Sequence, residues 1–488
     1  MGRPLGGVKP PERLTDPSQV VLKGPENFIA THIKTMLCTL PGVNGNFCCQ
    51  LSRKCFKILP MKFPRRRGFA PLLIFLLATP LSPLLAQTQE FTLPQCLSMA
   101  ESKSPQTIKA ELQALLARQQ KQEALRNLLP VVYAIGGYTE TNSPLYAPIL
   151  DNSENGAVGV SYDGFPFSPK WYERERLAAL SRAAQYAKIQ TKQDVALTVE
   201  SLYFSILNNQ DAVADLDKVE NRFNRLRLTV IPRYTMGRAP PFDLIQVKSS
   251  LADLARLRDL LSVQLETDET QLALILGLSP NKGLTIKPIS ALPAIPRFSY
   301  SQVEGSPALA SLKAQADAAK MGLKEARGQR YPQLVANYQY GYGGPTMNDT
   351  IVGHVLSVGL RLNIFDWGQI SSRIRQNRTS VSLADNALTV KDQALTVAFD
   401  RANAQAQADL AEMKRLEALL PESRRSAQST VERYRRGATT ILEATGAMQI
   451  WLNALLGERA AYYSYLQDLA TMQDLTGQGG PAAANIYE

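Results

Sequence analysis

The chain has 488 residues, of which 45% are hydrophobic and 20% are charged, a composition that argues against disorder over the whole length. The formal net charge of +11 is concentrated at the start: residues 1–86 hold 12 Lys and Arg against 3 Asp and Glu, and residues 87–488 hold 42 against 40. A basic nucleic-acid surface spread over the main body, whose net charge is only +2, is therefore disfavoured.

The first element in the chain is typical of a secretory signal peptide. Residues 61–86 read MKFPRRRGFAPLLIFLLATPLSPLLA, a positive segment followed by a short apolar one, with Ala86 before a cleavage point. A signal peptide belongs at an N-terminus, so we expect translation to start at Met61 and residues 1–60 to be a non-native extension. The alternative is a cytoplasmic extension followed by a membrane anchor.

The region after the signal peptide repeats itself at an offset of about 200 residues. Prolines, tyrosines, glycines and Arg-Tyr pairs recur in register over some 170 residues. The matched landmarks are Pro105 and Pro307, Pro130 and Pro332, Tyr138 and Tyr340, Gly159 and Gly359, Phe165 and Phe365, Gly237 and Gly437, and Gly277 and Gly477. The sequence therefore predicts two structural repeats, at 87–302 and 303–477, followed by a flexible tail at 478–488.

Each repeat is predicted to contain long helices. No Gly or Pro occurs between Pro169 and Pro232, and apolar residues there recur at alternating steps of four and three, as in a coiled coil. In the second repeat, only Pro421 interrupts the stretch from Gln369 to Arg436. Shorter helices are expected at 94–129 and 242–276.

Between the helices the hydrophobic period changes to two, which predicts a β-hairpin near 131–168 and another near 333–365. In the strand predicted at 354–364, Leu356, Val358 and Leu360 share one face, and Ser357 and Arg361 share the other. Such alternation fits a soluble sheet with one wet face, or a membrane barrel with lipid outside and water inside. The export signal and the apolar face, dense in Leu, Val and Tyr, favour the barrel. Two hairpins give only four strands and a barrel needs at least about eight, so closure requires oligomerisation.

Cysteine and histidine are sparse. Cys96 is the only cysteine after residue 86, and His32 and His354 are the only histidines, so most zinc sites and histidine-based mechanisms are unlikely matches. No phosphate-binding loop and no dinucleotide fingerprint is present. The sequence thus predicts no enzyme, no cofactor and no metal site.

Taken together, the residues resemble the outer-membrane efflux protein (TolC-like) family over nearly all of 91–477. The resemblance rests on SPALASLKAQADAAKMGLKEARGQRYPQL at 306–334, on GLRLNIFDWGQ at 359–369, and on the paired turns RYTMG (233–237) and RYRRG (433–437). No single motif is specific, but their order, spacing and duplication together are.

The resemblance implies a mainly α-helical fold in a homotrimer, with a 12-stranded transmembrane β-barrel continued by a periplasmic helical tunnel. It implies an outer-membrane export duct that conducts passively, while an inner-membrane pump and a periplasmic adaptor supply energy and selection. It also places the Arg-Tyr-x-x-Gly turns at the periplasmic end, where they would meet the adaptor. The expected adaptor-facing residues are Arg233, Tyr234, Gly237, Arg238, Arg433, Tyr434, Arg435, Arg436 and Gly437.

Two further sets of candidate residues follow. Asp243 and Glu443 lie at equivalent positions after the turns, where the resemblance predicts a ring of carboxylates at the pore constriction; each could instead only complement a helix N-terminus. The residues expected to line the barrel lumen are Asp163, Asn337, Gln339, Arg361 and Asn363. An alternative to the duct is a periplasmic coiled-coil scaffold or adaptor without a barrel. The cargo is not visible in the sequence.

Overall fold

The computed structural model describes residues 90–139, 153–166, 168–279, 284–289, 293, 300–344 and 351–479. The predicted extension at 1–60 and the predicted signal peptide at 61–86 lie outside these residues, as does most of the predicted tail at 478–488.

Long helices make up most of the described chain, and their lengths match between the two repeats. The first repeat contains α1 (Leu93–Lys103), α2 (Pro105–Arg126), α3 (Pro169–Thr235) and α4 (Pro241–Ile275). The second contains α5 (Tyr300–Glu304), α6 (Pro307–Gly328), α7 (Gln369–Arg435) and α8 (Ile441–Leu475). Helices α2 and α6 have 22 residues each, α3 and α7 have 67, and α4 and α8 have 35.

Prolines shape these helices differently from the prediction. The single helix expected at 94–129 is divided, because Ser104 takes an extended backbone conformation (φ −60°, ψ 131°). The residue before a proline is sterically pushed out of the helical region, so Pro105 starts a new helix instead of continuing the first. The long helix predicted around Pro421 is confirmed, because α7 runs through this proline, as α3 runs through Pro232.

Four antiparallel strands form one sheet in the order β2-β3-β5-β6. The strands are β2 (Val131–Thr139), β3 (Ser153–Tyr162), β5 (Gln333–Gly344) and β6 (Ile351–Arg361). A separate two-residue parallel pair joins β1 (Glu90–Phe91) to β4 (Thr285–Ile286). Within the four-stranded sheet, each hairpin supplies one edge strand, so β2 and β6 each have a neighbour on one side only.

The helices pack around two apolar clusters. One joins α1, α3, α4 and α8 around Tyr203, Phe204 and Tyr465. The other joins α3, α4, α7 and α8 near the turns, around Phe223 and Trp451. Burying one such large side chain stabilises the fold by about 1.5–3 kcal/mol. The seam predicted along α3 lies within these clusters, since Val199, Ile206 and Val230 are fully buried.

Candidate functional site

The two turns that join the long helices to the return helices have the same backbone design. Gly237 and Gly437 have φ of +68° and +81°, the left-handed region that glycine enters without a steric penalty. After each glycine, an amide bonds back to the helix end: Arg238 N donates to Arg233 O at 2.7 Å, and Ala438 N donates to Arg433 O at 2.9 Å. This is the hydrogen-bonded helix C-cap expected for a chain reversal.

The first turn contacts the second through Arg233. Its Nη1 donates to the carbonyl oxygens of Tyr434 and Arg435, the latter at 3.1 Å. The guanidinium carbon also lies 5.0 Å from the centre of the Tyr434 ring. The Tyr434 carbonyl also accepts from the amide of Gly437 at 2.9 Å, so Arg233 adds a second donor there and one to the Arg435 carbonyl, and these bonds hold the two turns together.

A second contact between the turns joins Tyr434 to Asp243. Both side chains are buried, and the Tyr434 hydroxyl donates to the Asp243 carboxylate at 2.6 Å. Burial, together with the hydrogen bond and the negative charge of Asp243, raises the pKa of Tyr434 above its ordinary value, so Tyr434 remains a donor. The carboxylate is thus engaged inside the chain.

Glu443 occupies the equivalent position in α8 but has different surroundings. Its side chain is exposed and accepts a hydrogen bond from the hydroxyl of Thr439, while its amide donates to the hydroxyl of Thr440 at 3.3 Å. Asp243 and Glu443 therefore share a place at the start of a return helix, but only Glu443 presents its carboxylate at the surface of a single chain.

The remaining predicted tip residues lie around these contacts with mostly exposed side chains. Tyr234 is 41% exposed, and Arg435 lies 3.8 Å from Glu432. The other exposed members are Arg238, Arg433 and Arg436.

One face of the sheet carries most of its polar side chains, gathered around Tyr133, and on its edge strands this face also carries the exposed Val131, Ile135, Ile351 and Val355. The Tyr133 hydroxyl donates to Asn337 Oδ1 at 2.8 Å and accepts from Gln339 Nε2 at 2.6 Å, so two of the predicted lumen residues come together. The ring lies over Gly159, where an added Cβ would fall 2.7 Å from it. The sequence analysis did not predict a role for Tyr133. Every second residue of a strand points to the same face, and this alternation was a signal that could have identified it.

The other predicted lumen residues lie at the end of the sheet that leads into the helices. Arg361 ends β6 and pairs in register with Gln333. Asp163 follows the last residue of β3 and forms an ion pair with Lys170 at 2.5 Å. The predicted strand at 354–364 is wrong at its end, because β6 stops at Arg361 and Asn363 lies beyond it.

The opposite face of the sheet is apolar and exposed. Its side chains are placed there by the strand register, in which directly paired residues point to the same side. Members that are at least 36% exposed are Val132, Tyr138, Val158, Val160, Tyr338, Tyr340, Val352, Leu356, Val358 and Leu360. An exposed apolar surface of this size on a protein indicates contact with lipid or with another protein.

The structure also reveals one buried and one half-buried carboxylate that the sequence prediction overlooked. Glu200 on α3 is 1% exposed, and burial, with the nearby charge of Asp474, raises its pKa to about 8. On α8, burial and the neighbouring Asp409 raise the pKa of Asp468 to about 7. These residues lie on separate helices, and their burial could not be inferred from the sequence because it depends on how the helices pack.

Within the described ranges, no three His, Cys, Asp or Glu side chains come together as the ligands of a metal ion would. Over the same residues, no helix is both long enough and apolar enough to cross a membrane.

The family model for outer membrane efflux proteins matches residues 299–478. No curated protein matches the sequence significantly.

Solved structures of outer-membrane channels share the fold. The Campylobacter jejuni CmeC outer membrane channel superposes with a TM-score of 0.73 at 16% identity, covering 81% of this chain and 88% of its own. The outer membrane protein VceC from Vibrio cholerae has a TM-score of 0.72 at 15% identity, covering 80% and 96%. The Neisseria gonorrhoeae MtrE outer membrane channel has a TM-score of 0.69 at 16% identity, covering 79% and 89%.

These likenesses confirm the predicted fold class, with long duplicated helical hairpins and two β-hairpins in each chain. By sequence, residues 299–478 match the outer membrane efflux protein family, and by fold the chain is similar to these outer-membrane proteins.

Proposed function

We propose that the chain is an outer-membrane export duct in which three copies join to form one channel. The observation that carries this proposal is the four-stranded sheet, which has one face that carries the polar cluster around Tyr133, an opposite exposed apolar face and two open edges. An open strand edge cannot remain in lipid, because each unpaired backbone group there costs several kcal/mol. Three copies supply 3 × 4 = 12 strands, enough for a closed barrel.

The two hairpins support closure because they have the same register. Val131 of β2 pairs with Ser161 of β3. Adding the offsets of 202 and 200 found in the sequence to these two numbers gives Gln333 and Arg361, which are paired in the second hairpin. The duplicated units are therefore equivalent in strand register as well as in sequence.

The same offsets predict the register of the junction between β6 of one copy and β2 of the next copy. Within the chain, β3 meets β5 with Val158 opposite Tyr340. Moving from β3 to β6 adds 200 and moving from β5 to β2 subtracts 202, so Val358 should face Tyr138 of a second copy. Both side chains lie on the apolar face, as the junction requires.

The face that carries Asn337, Gln339 and Arg361 then lines the lumen of the barrel. Asp163 and Asn363 lie at the end of the barrel that leads into the helices. The apolar face contacts the lipid of the outer membrane. The long helices, each about 100 Å at 1.5 Å per residue, extend the duct into the periplasm.

The turns between helices form the periplasmic mouth in this proposal. Three exposed Glu443 side chains ring the opening and favour cations. Asp243 contributes differently, since its bond to Tyr434 and the bonds of Arg233 hold neighbouring turns closed. The exposed arginines at the tips face the periplasmic adaptor, and an inner-membrane pump supplies the energy.

Single-channel conductance in planar bilayers tests the mouth. Glu443→Gln should lower cation selectivity, and Arg233→Gln should raise conductance by freeing the turns. Arg256→Gln, an exposed arginine on α4, serves as the control. Unchanged selectivity in Glu443→Gln would remove that residue from the pore.

A cysteine pair tests the junction between copies. In Val358→Cys combined with Tyr138→Cys, antiparallel partners lie within disulfide reach, so oxidation should yield covalent trimers. Cys96 can remain, since it is buried and its thiol has a pKa raised to about 12 by desolvation. Val358→Cys combined with Val131→Cys is the out-of-register control, which should give no covalent trimer.

The periplasmic scaffold without a barrel is not favoured, because the family and the fold are those of outer-membrane channels. A scaffold would stay in solution without detergent and would show no change in gel mobility on heating. A barrel protein depends on detergent and changes its mobility.

A further inference from the structure

A tryptophan occupies a strained backbone position between β6 and α7. Trp367 has a φ of +52°, the only positive value at a residue other than glycine in the described ranges. A side chain at positive φ crowds the backbone carbonyl, so bulky residues rarely adopt this conformation. Gly368, the next residue, has a φ of +80°. The chain therefore places one of the largest side chains where the backbone conformation favours glycine or asparagine.

The turn that leads into α7 imposes this conformation. The amide of Gln369 donates to the carbonyl of Asp366 at 3.0 Å, which closes a four-residue turn with positive φ at both central positions, as in type I′. The Asp366 carboxylate accepts from the amides of Gly368 at 3.0 Å and Ile370 at 2.8 Å. These bonds satisfy free amides at the start of the helix. The turn is thus held by Asp366 and does not need the Trp367 side chain.

The Trp367 side chain gains little from its own chain in return for the strain. It is 91% exposed, and its ring centre lies 4.8 Å from that of Phe365, which is itself exposed. Leu362 and Ile364, which precede them, are exposed as well. A strained residue that its own chain leaves uncovered, within a run of exposed apolar residues, indicates a contact outside the chain.

The first repeat shows to which side of the sheet this segment belongs. Phe165, which lies 200 residues before Phe365, packs its ring against Tyr162 with the ring centres 4.5 Å apart. Tyr162 is paired with Ala336, and Ala336 is paired with Val358 of the exposed apolar face. Since directly paired residues point to the same side, Tyr162 belongs to that face. The equivalent segment of the second repeat therefore continues the apolar side of the sheet.

The length of β6 places the segment at the edge of the membrane. The strand has 11 residues. At about 3.3 Å per residue it is about 36 Å long. With the tilt of about 45° that is usual in barrels, it spans about 26 Å, close to an apolar band of about 25 Å. Residues that follow the strand at its helical end then lie at the headgroup level, where tryptophan is enriched.

The next copy in the proposed barrel does not extend over Trp367. In the register proposed for the junction, Val358 faces Tyr138 of the second copy. Seven residues further along both strands, Phe365 would face Val131, which is the first residue of β2. Trp367 lies beyond this last pair, so the junction between strands leaves its ring open to lipid.

We propose that Trp367, supported by Phe365, anchors the barrel among phospholipid headgroups at the periplasmic surface of the outer membrane. An indole ring suits this layer because its body is apolar and its N–H can donate to phosphate or ester oxygens. By sequence, the first repeat has Phe167 at the equivalent position, so both repeats supply a large aromatic residue. The inference rests on the proposed barrel and adds the residue that fixes its depth.

Quenching of tryptophan fluorescence by brominated phospholipids tests the depth of Trp367. The sequence has three tryptophans, so Trp171→Phe combined with Trp451→Phe leaves Trp367 as the single emitter. The full chain is reconstituted in phosphatidylcholine vesicles with bromine either near the headgroups or near the bilayer centre. Bromine near the headgroups should quench the emission roughly twofold more strongly, because an interfacial ring lies at that level.

A matched control moves the emitter into the middle of the apolar face. In a chain with all three tryptophans changed to Phe, Leu356→Trp places one indole on β6. This variant should show the reverse order, with stronger quenching by bromine near the bilayer centre. The same order for both emitters would mean that the assay does not report a difference in depth between Trp367 and the strand, and the headgroup assignment would be wrong.

Heat resistance in vesicles supplies a second measurement. Trp367→Gly relieves the backbone strain, so an unpartnered ring predicts a variant that resists heat better than the parent. We expect the opposite, a lower temperature for the change in gel mobility, because the interfacial contact is lost. Trp367→Tyr keeps a ring suited to the interface and should stay close to the parent. Greater heat resistance in Trp367→Gly would contradict the anchor.

The remaining outcomes separate lipid from protein. Protection of Trp367 from aqueous iodide without quenching by either lipid would show that a second copy covers the ring, and the lipid assignment would be wrong. The covalent trimer of Val358→Cys with Tyr138→Cys is measured in the same vesicles. Trimers in which Trp367 is not quenched would reject the anchor and leave the duct intact, whereas absence of trimers would reject the duct and the anchor that depends on it.

Discussion

Helices α3 and α7 have the same length and the same place in the duplicated plan, yet they differ greatly in burial. Of 67 residues each, α3 has 20 buried and α7 has 8. Helix α3 packs against α2, α4, α6 and α8, whereas α7 packs mainly against α6 and α8. The apolar residues Leu383, Val390 and Val397 of α7 recur at seven-residue spacing and remain 55–66% exposed. The long helix of the first repeat is therefore enclosed by its own chain, whereas much of the apolar surface of the second stays exposed in a single chain.

The same contrast appears in one pair of carboxylates. Asp268 on α4 is 4% exposed and accepts from Ser205 at 2.7 Å, Gln264 at 2.7 Å and Asn209 at 3.4 Å. Two hundred residues later, Asp468 occupies the equivalent place, and Asp409 stands where the first half has Asn209. Where the first repeat has Asn209 as a hydrogen-bond donor, the second repeat therefore has a carboxylate, Asp409. Burial and this neighbouring carboxylate raise the pKa of Asp468 to about 7.

The largest expected effect concerns the leucines that are equivalent in the two long helices. Leu216 is 1% exposed in an apolar cluster, and Leu416 is half-buried. Leu216→Ala should lower the free energy of unfolding by about 3 kcal/mol, and Leu416→Ala by about 1 kcal/mol. Urea unfolding in detergent, followed by circular dichroism, measures both. Equal losses would mean that α7 is as enclosed as α3.

The carboxylate pair predicts a dependence of stability on pH. The pKa of Asp468 is raised to about 7 in the folded chain, and an unfolded aspartate titrates near about 3.9. Unfolding therefore releases a proton between these values, and stability falls as the pH rises through this window. Asp409→Asn supplies a donor, so it should flatten this slope and stabilise the protein above pH 7 by about 2 kcal/mol.

The reciprocal change is the matched control for that prediction. Asn209→Asp places a second acid beside Asp268 and should create the slope that Asp409→Asn removes. Urea midpoints at about pH 4.5 and 7.5 compare the variants. If neither substitution alters the slope, the two carboxylates do not share a proton.

The tyrosines of the paired turns should differ by a smaller amount. Tyr434→Phe removes the donor to the buried Asp243 carboxylate and should cost about 1.5 kcal/mol. Tyr234→Phe should change stability by less than about 0.5 kcal/mol, because the Tyr234 side chain is 41% exposed. Thermal unfolding ranks the two variants. A larger loss for Tyr234→Phe would place that residue in a contact between copies.

The smallest effect is expected in the sheet. An alanine at Gly159 would press on the Tyr133 ring, which is fixed by Asn337 and Gln339, and should cost about 1 kcal/mol. At Gly359 the added methyl group meets nothing within 4 Å of the chain, so Gly359→Ala should be close to neutral. The temperature at which heating changes gel mobility measures both. A sizeable loss at Gly359 would indicate that a partner strand lies over it.

Much of the fold was predictable because its signals are periodic and repeated. The change of hydrophobic period from about four to two located the hairpins, and the landmarks 200 residues apart aligned the helices. The ends of the elements were less predictable. Ser104 breaks the first helix because Pro105 constrains it locally, whereas Pro232 and Pro421 are absorbed by long helices that packing holds on both sides of the proline.

The candidate site was predictable in position but not in chemistry. The turns at Gly237 and Gly437 follow from glycine and spacing, yet nothing in the sequence shows that Tyr434 reaches Asp243 across 191 positions. Long-range pairing of polar groups depends on how the helices pack, and this is the information that periodicity lacks.

Because corresponding helices of the two repeats have equal lengths, a change in the length of one helix must be matched in the others. A deletion of seven residues in α3 alone would shorten that helix by about 10 Å and would displace its turn along the helix axis relative to the turn after α7. Matching cuts in α4, α7 and α8 would be needed to restore the alignment. Changes in the reach of this protein are therefore expected to occur in coordinated steps, made in both halves at once, rather than by isolated insertions or losses.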